Sequence, residues 1–446
     1  MHLRRVARQT RGGLSVSVHS SLGDADRAAF PAFSQAEYRR RFAAVRASMQ
    51  RDEVAALIVY GSRGREAVSV QYLCNFLVTA KAHLLFPIEG EPALFVQLWN
   101  HLPLARRLTS IADVRWGGPH SGVTVAAELN ARELAHARIG LVGDLPWYDV
   151  VAIKQRLPDA QLVNWTGKFL DHRAVKSSEE LERMRHAANL TDRAMEALAC
   201  EVRPGLDERE LPRIVECAYL GAGATNEIHF MTATSMQRPQ ACVPAQYNAA
   251  RIIEAGDVLI TEVSAAYWGY PAQILRPYAI AEPPSTLYRQ LYDLCERAFL
   301  AVTSVLRPGS TARDVVDAVQ FIEDEGFSIY DDLLHGYGGG YLPPVLRTRA
   351  TAHGPIPDYT FQENMTVVVQ PNVITRDERA GVQLGHLMRV TSSGCESMHA
   401  YPREFKVIGA SSSTICGEGP GCRASGASQT RRRAHPGYAV CYALRA

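Results

Sequence analysis

Two side chains able to do chemistry stand eleven residues apart in an otherwise apolar stretch: Glu262 within Val258–Ser264 and Gln273 within Tyr270–Ile280. Trp268-Gly269 lies between them and is a turn signal. A two-residue hairpin there sets Tyr267 opposite Tyr270, Ser264 opposite Gln273 and Glu262 opposite Leu275. Side chains alternate along a strand, so Glu262 and Gln273 share one face as diagonal neighbours, about 7–8 Å apart at the backbone. An acid and an amide on an apolar face are costly to bury unless something polar meets them. The hairpin is therefore the expected floor of a polar pocket. His335 is the next candidate, because Gly336, Gly338, Gly339 and Gly340 follow it and let backbone approach a ligand closely. An unperturbed imidazole also exchanges protons near neutral pH.

Each candidate has a plainer reading. Glu262 is either a general base or cation anchor, or a strand acid paired with Arg276 or another cation in the core. His335 is either a proton donor and acceptor or a histidine satisfied by a carbonyl. Tyr267, Tyr270, Tyr337 and Tyr341 line the pocket or belong to the core. His229, in a strand-like run, reads as structural. The glycine run fails as a phosphate loop because position 341 is Tyr. Gly61-Ser62-Arg63-Gly64 misses the spacing of a serine-nucleophile elbow.

The elements that must position these residues alternate along the chain. Phe42, Val45 and Met49 form one stripe of a helix that begins after Ser34. Short strands are expected at Ala55–Tyr60, Leu84–Pro87, Pro92–Gln97 and Ala137–Val142, with a helix from Pro146 to Gln155, which describes an α/β domain. Ser177 and Glu180 have capping-box spacing and open a long helix into a second domain. Within that domain Arg-Pro-Gly occurs at 203–205 and again at 307–309, each time between two helical stretches. The echo predicts two similar halves meeting at one central site. The expected divisions are 1–30, a mobile basic extension; 31–171, the first domain; 172–410, the second; and 411–446, a disordered tail.

Composition narrows the classes. With 446 residues, 47% hydrophobic and 21% charged, the chain has room for two ordinary cores. A net charge of +2 indicates neither nucleic acid nor a membrane surface as partner. No run reaches the ~18 apolar residues of a membrane span. The basic start lacks an apolar segment behind it, which argues against secretion; a transit peptide is the minor alternative. Nine scattered cysteines without a C-x-x-C pair read as free thiols in a reducing compartment, the cytoplasm.

From about residue 31 to 408 the chain resembles the creatinase / prolidase / aminopeptidase P family. The resemblance is carried by Tyr72-Leu73-Cys74-Asn75-Phe76, the Lys176–Glu180 helix start, both Arg-Pro-Gly turns, Gly256–Leu259, Gly269-Tyr270, Arg276, His335–Gly338 and Met365–Pro371. It implies an α+β chain: a creatinase-type N-terminal α/β domain followed by a pseudo-two-fold pita-bread domain. It also implies a homodimer in which the N-terminal domain helps cover the neighbour's pocket.

Metallopeptidases of this family hold two divalent ions with two Asp, one His and two Glu. Those positions fall here on Glu262, Gln273, His335, Gln370 and Gly385, leaving one acid where four stood. The family's further histidines fall on Leu342 and near Ala245. Creatinases cleave a C–N bond without metal, but their hairpin glutamate falls on Leu275. The expectation is a metal-free, cofactor-free hydrolase or lyase acting on a small polar C–N-containing molecule. Glu262 and His335 would share proton transfer, with Gln273, Gln370, Arg276, Tyr337 and His386 on the substrate. The alternatives are an inactive binding subunit of the same fold and, from similarity alone, an Xaa-Pro metallopeptidase.

Overall fold

The computed structural model describes residues 30–64 and 67–410. The expected N-terminal extension, all but its last residue, and the expected tail over 411–446 lie outside the described residues. Helix α1 (Gln35–Arg51) starts where Ser34 Oγ accepts from the Glu37 amide, and it buries Val45 and Met49. It covers a six-stranded sheet of β1 (Ala56–Ser62), β2 (Lys81–Pro87), β3 (Ala93–Val96), β4 (Asp113–Trp116), β5 (Arg138–Val142) and β6 (Gln161–Asn164). The order is β4-β3-β2-β1-β5-β6, and only β2 runs antiparallel to its neighbours. The carboxyl ends of the other five strands therefore share one edge. Helices α2 (Ala67–Cys74), α3 (Leu102–Leu108), α4 (Ser121–Ala131) and α5 (Trp147–Arg156) lie between these strands along the chain, and α6 (Thr166–Ala174) follows the last of them.

The capping box at Ser177 and Glu180 forms and opens α7 (Ser178–Glu201). Beyond it, Gly205 and Gly309 in the two Arg-Pro-Gly turns take φ of 91° and 88°, the left-handed region that excludes most side chains. The first turn leads to α8 (Leu211–Tyr219); the second follows α9 (Thr286–Val305) and leads to α10 (Ala312–Asp317).

The strands between are long where the sequence is apolar. They are β7 (Ala224–Ser235), β8 (Asp257–Tyr267) and β9 (Tyr270–Ile280) from the first half. The second half gives β10 (Ser328–Ile329), β11 (Leu334–Tyr337), β12 (Tyr341–Leu346), β13 (Thr366–Val369), β14 (Asn372–Ile374), β15 (Gly381–Gln383), β16 (Gly385–Val390), β17 (Cys395–Ser397) and β18 (Lys406–Ile408). The main sheet runs β12-β11-β13-β16-β9-β8-β7, with β17 on β16 and β18 on β9; β10, β14 and β15 form a smaller sheet. Strands from the two halves thus join at β16–β9, the pseudo-two-fold arrangement expected. No helix among the described residues is long and apolar enough to cross a membrane. Cys74, Cys200, Cys217, Cys242, Cys295 and Cys395 are free thiols.

Candidate functional site

The β8–β9 hairpin has the anticipated register, with Glu262 opposite Leu275, Ser264 opposite Gln273 and Tyr267 opposite Tyr270. Trp268 and Gly269 take φ of 49° and 79°, two positive values as a type I′ hairpin turn needs. Gln71 of α2 fixes that turn by donating to Trp268 O at 2.9 Å.

Four of the expected site residues meet. Gln273 Nε2 donates both to Glu262 Oε1 and to Gln370 Oε1, each at 2.8 Å. Gln370 Oε1 also lies 3.2 Å from His335 Nε2. All four are buried: Glu262 is 3% exposed and Gln273, His335 and Gln370 are 0%. Gln370 reaches them because β13 ends at Val369 beside β11, whose Leu334 and His335 pair with Val369 and Val368.

Two residues absent from the expected set extend the network. Asp331 Oδ2 accepts from Gln383 Nε2 at 3.0 Å and from Gln370 Nε2 at 3.5 Å. With the Gln370 amide oriented by Gln273 on one side and Asp331 on the other, its oxygen faces the His335 ring. His335 Nδ1 lies 3.0 Å from Gly336 O. Both ring nitrogens therefore face oxygen acceptors, and both contacts are hydrogen bonds only if both nitrogens donate. His335 and the Glu262 carboxyl are thus linked through two neutral amides. Tyr341 stacks on the imidazole at 3.8 Å, and Tyr337 meets it edge-on at 5.3 Å. The Tyr337 hydroxyl bonds Ser264 Oγ at 3.0 Å, and burial pushes its pKa well above the ordinary value, so it stays neutral.

Arg276 and His386, expected on the substrate, do not join this network. Arg276 is three residues from Gln273, so strand alternation turns it to the opposite face. There it donates from Nε to Pro402 O at 2.8 Å and from Nη1 to Leu275 O at 2.6 Å and Gly385 O at 3.0 Å. His386, opposite Ile274 in the ladder, lies on that same face. Its Nε2 accepts from Arg276 Nη2, and Nδ1 donates to Ser397 Oγ at 2.7 Å. Burial, then the charge of Arg276, holds the His386 pKa well below the usual histidine range. The alternative pairing of Glu262 with Arg276 fails for the same reason of face. Tyr270 also proves to be a core residue, donating to Glu180 Oε1 at 2.9 Å. His229 is structural, its Nε2 lying 2.5 Å from the Tyr219 hydroxyl.

Gly385, the position of a family carboxylate, has no space for a side chain. An added Cβ would lie 2.6 Å from Val369 O and 2.9 Å from Gln370 Cα. Gly385→Ala is expected to destabilise the fold by about 1–3 kcal/mol, the range of core overpacking, measured by urea denaturation. Among the described residues no group of three or more His, Cys, Asp or Glu side chains is arranged to hold a metal ion.

Asp332 sits beside the network, and its carboxyl is raised from the ordinary 3.8 to about 6, by burial first and then by Asp331, against Arg347. The folded chain holds this proton more tightly than the unfolded one, so stability falls as pH rises through that interval. Asp332→Asn is thus expected to raise the melting temperature above about pH 7 and to change it little near pH 4, as thermal melts across pH would report.

Residues 182–392 match the metallopeptidase family M24, and residues 41–175 match the creatinase/prolidase N-terminal domain. An uncharacterized hydrolase/peptidase, y4tL, from Sinorhizobium fredii is 29% identical over 400 residues, covering 84% of this chain and 98% of that one. An Xaa-Pro dipeptidase from Pyrococcus furiosus is 22% identical over 268 residues, 60% of this chain and 75% of that one. Among solved structures, an Xaa-Pro dipeptidase from Bacillus anthracis shares the fold. It has a TM-score of 0.71 at 21% identity, covering 83% of this chain and 100% of that one.

Proposed function

Because this chain belongs to the creatinase / prolidase / aminopeptidase P family, within metallopeptidase family M24, we propose that it is a hydrolase that cleaves a C–N bond in a small polar molecule without a metal ion. The observation that carries this reading is a pair of buried acceptors left without partners, Gln273 Oε1 and Gln383 Oε1, in an otherwise bonded network. A buried acceptor without a donor costs about 1–3 kcal/mol. A substrate bearing N–H groups relieves both.

The dinuclear metal centre of the family does not fit these residues. Two divalent ions require several anionic oxygens and bridging carboxylates. Here the matching positions supply one carboxylate, one imidazole with both nitrogens already directed at oxygens, two amides and a glycine that cannot carry a side chain. Glu262 and His335 instead form an acid–base pair. Glu262 takes a proton from water as its oxygen bonds to the substrate carbon. The C–N bond breaks, and His335 passes its Nε2 proton to the departing nitrogen. Gln273, Gln370 and Gln383 hold the substrate's polar groups, and Tyr341 covers the imidazole.

The near-complete burial of Glu262, Gln273, His335 and Gln370 favours a second reading, a non-catalytic binding or partner subunit of the same fold. Screening small amides, ureas and amidines with the purified protein in a chelator separates the two. Turnover is the expected result; thermal stabilisation by a ligand that is never turned over would favour the second. An Xaa-Pro dipeptide with added manganese is expected to remain uncleaved. The resemblance further supports a homodimer, for which light scattering of the purified chain gives the mass, and the scattered cysteines support a reducing compartment, the cytoplasm.

A further inference from the structure

A cavity of about 350 Å³ lies in the N-terminal domain, far along the chain from the β8–β9 hairpin, and Lys81, His83, Gln97, Ser121, Tyr148 and Asp149 line it. Its walls come from the start of β2, the end of β3 and the first turns of α4 and α5. This is the edge to which five of the six strands bring their carboxyl ends, where open α/β sheets hold ligands. The volume falls in the range of small-molecule sites.

The groups in it form a built arrangement. Lys81 Nζ donates to the Tyr148 hydroxyl at 2.7 Å. Asp149, 2% exposed, accepts from the Gly122 amide at 2.9 Å through Oδ1, and its Oδ2 lies 3.3 Å from His83 Nε2. Burial would raise the Asp149 pKa, yet His83 and the Gly122 amide hold it below the usual carboxylate value. His83 is 1% exposed, and neither of its ring nitrogens has a hydrogen-bond partner. Buried ring nitrogens in that state call for a polar partner.

We propose that this cavity binds a small amino or hydroxy acid, with its carboxylate on Lys81 and its amino or hydroxyl group on the His83 ring. Lys81 supplies the only ammonium in the lining, and an ionic hydrogen bond is the strongest contact available to a carboxylate there. The site is separate from the Glu262 network, so the ligand acts as an effector or a carried molecule.

Titration calorimetry of the full chain with L-serine, L-lactate and acetate in separate runs tests this. Serine or lactate should bind saturably, and acetate, which has a carboxylate but no donor beside it, about tenfold or more weakly. Lys81→Met should weaken serine or lactate binding by about tenfold or more, and His83→Phe should remove the preference over acetate. Glu262→Gln should leave binding unchanged. Lys81 lies at the rim, so its variant keeps the fold and stands as the test if the His83 variant does not. The proposal is overturned if none of the three binds, if acetate binds as well as the others, if Lys81→Met binds like the parent, or if Glu262→Gln abolishes binding.

Discussion

Arg276→Met is expected to lower the unfolding free energy by about 4 kcal/mol, a loss read by urea or thermal denaturation. The guanidinium is wholly buried, and its donors reach the carbonyls of Leu275, Gly385, Tyr401 and Pro402 as well as His386 Nε2. Burial pushes its pKa down to about 10, which still leaves it charged at neutral pH. Methionine fills the space but leaves four carbonyls without this donor. These carbonyls come from β9, β16 and the segment before β18, so the side chain ties three pieces of the main sheet together. Turnover per folded molecule should be unaffected, because Arg276 is on the face away from Glu262. A variant of parental stability with impaired turnover would return Arg276 to the substrate.

Glu262→Gln is expected to reduce turnover by about 100- to 10,000-fold, the range for loss of a positioned acid or base. The substitution keeps an oxygen to accept from Gln273 Nε2, so the fold should survive with a small change in melting temperature. His335→Ala should cause a loss of similar size, and the double variant should fall little further, since the two groups act on the same step. The assay is single-substrate turnover with the compound found by screening, at saturating concentration. Undiminished turnover in both single variants would reject their roles.

Much of this was readable before any coordinates. The hairpin register followed from strand alternation and a two-residue turn, both local rules, and so did the capping box at Ser177. Convergence of Glu262, Gln273, His335 and Gln370 followed from motif order along the chain. Motif order does not report the face of a strand, and this is where Arg276 and His386 part from the other four. The parity was in the sequence: Gln273 and Arg276 differ by three positions, an odd number, so they cannot share a face of one regular strand. Asp331 was not legible, because it precedes β11 in a segment without periodicity. Gln383 was not legible either: it ends β15 and Gly385 opens β16, strands of different sheets, so no single alternation links it to the position that the family gives to a carboxylate. The lack of room at Gly385 required the packing of Val369 and Leu275, which no local pattern contains.

The central claim is that this site keeps the architecture of a dinuclear metallopeptidase with too few anionic groups to hold the ions. Elemental analysis of protein purified from manganese-supplemented medium, run beside turnover before and after chelation, tests it most directly. The account predicts well under one equivalent of metal per chain and turnover indifferent to the chelator. Two equivalents of manganese, zinc, iron or cobalt per chain, with activity lost on their removal, would contradict it.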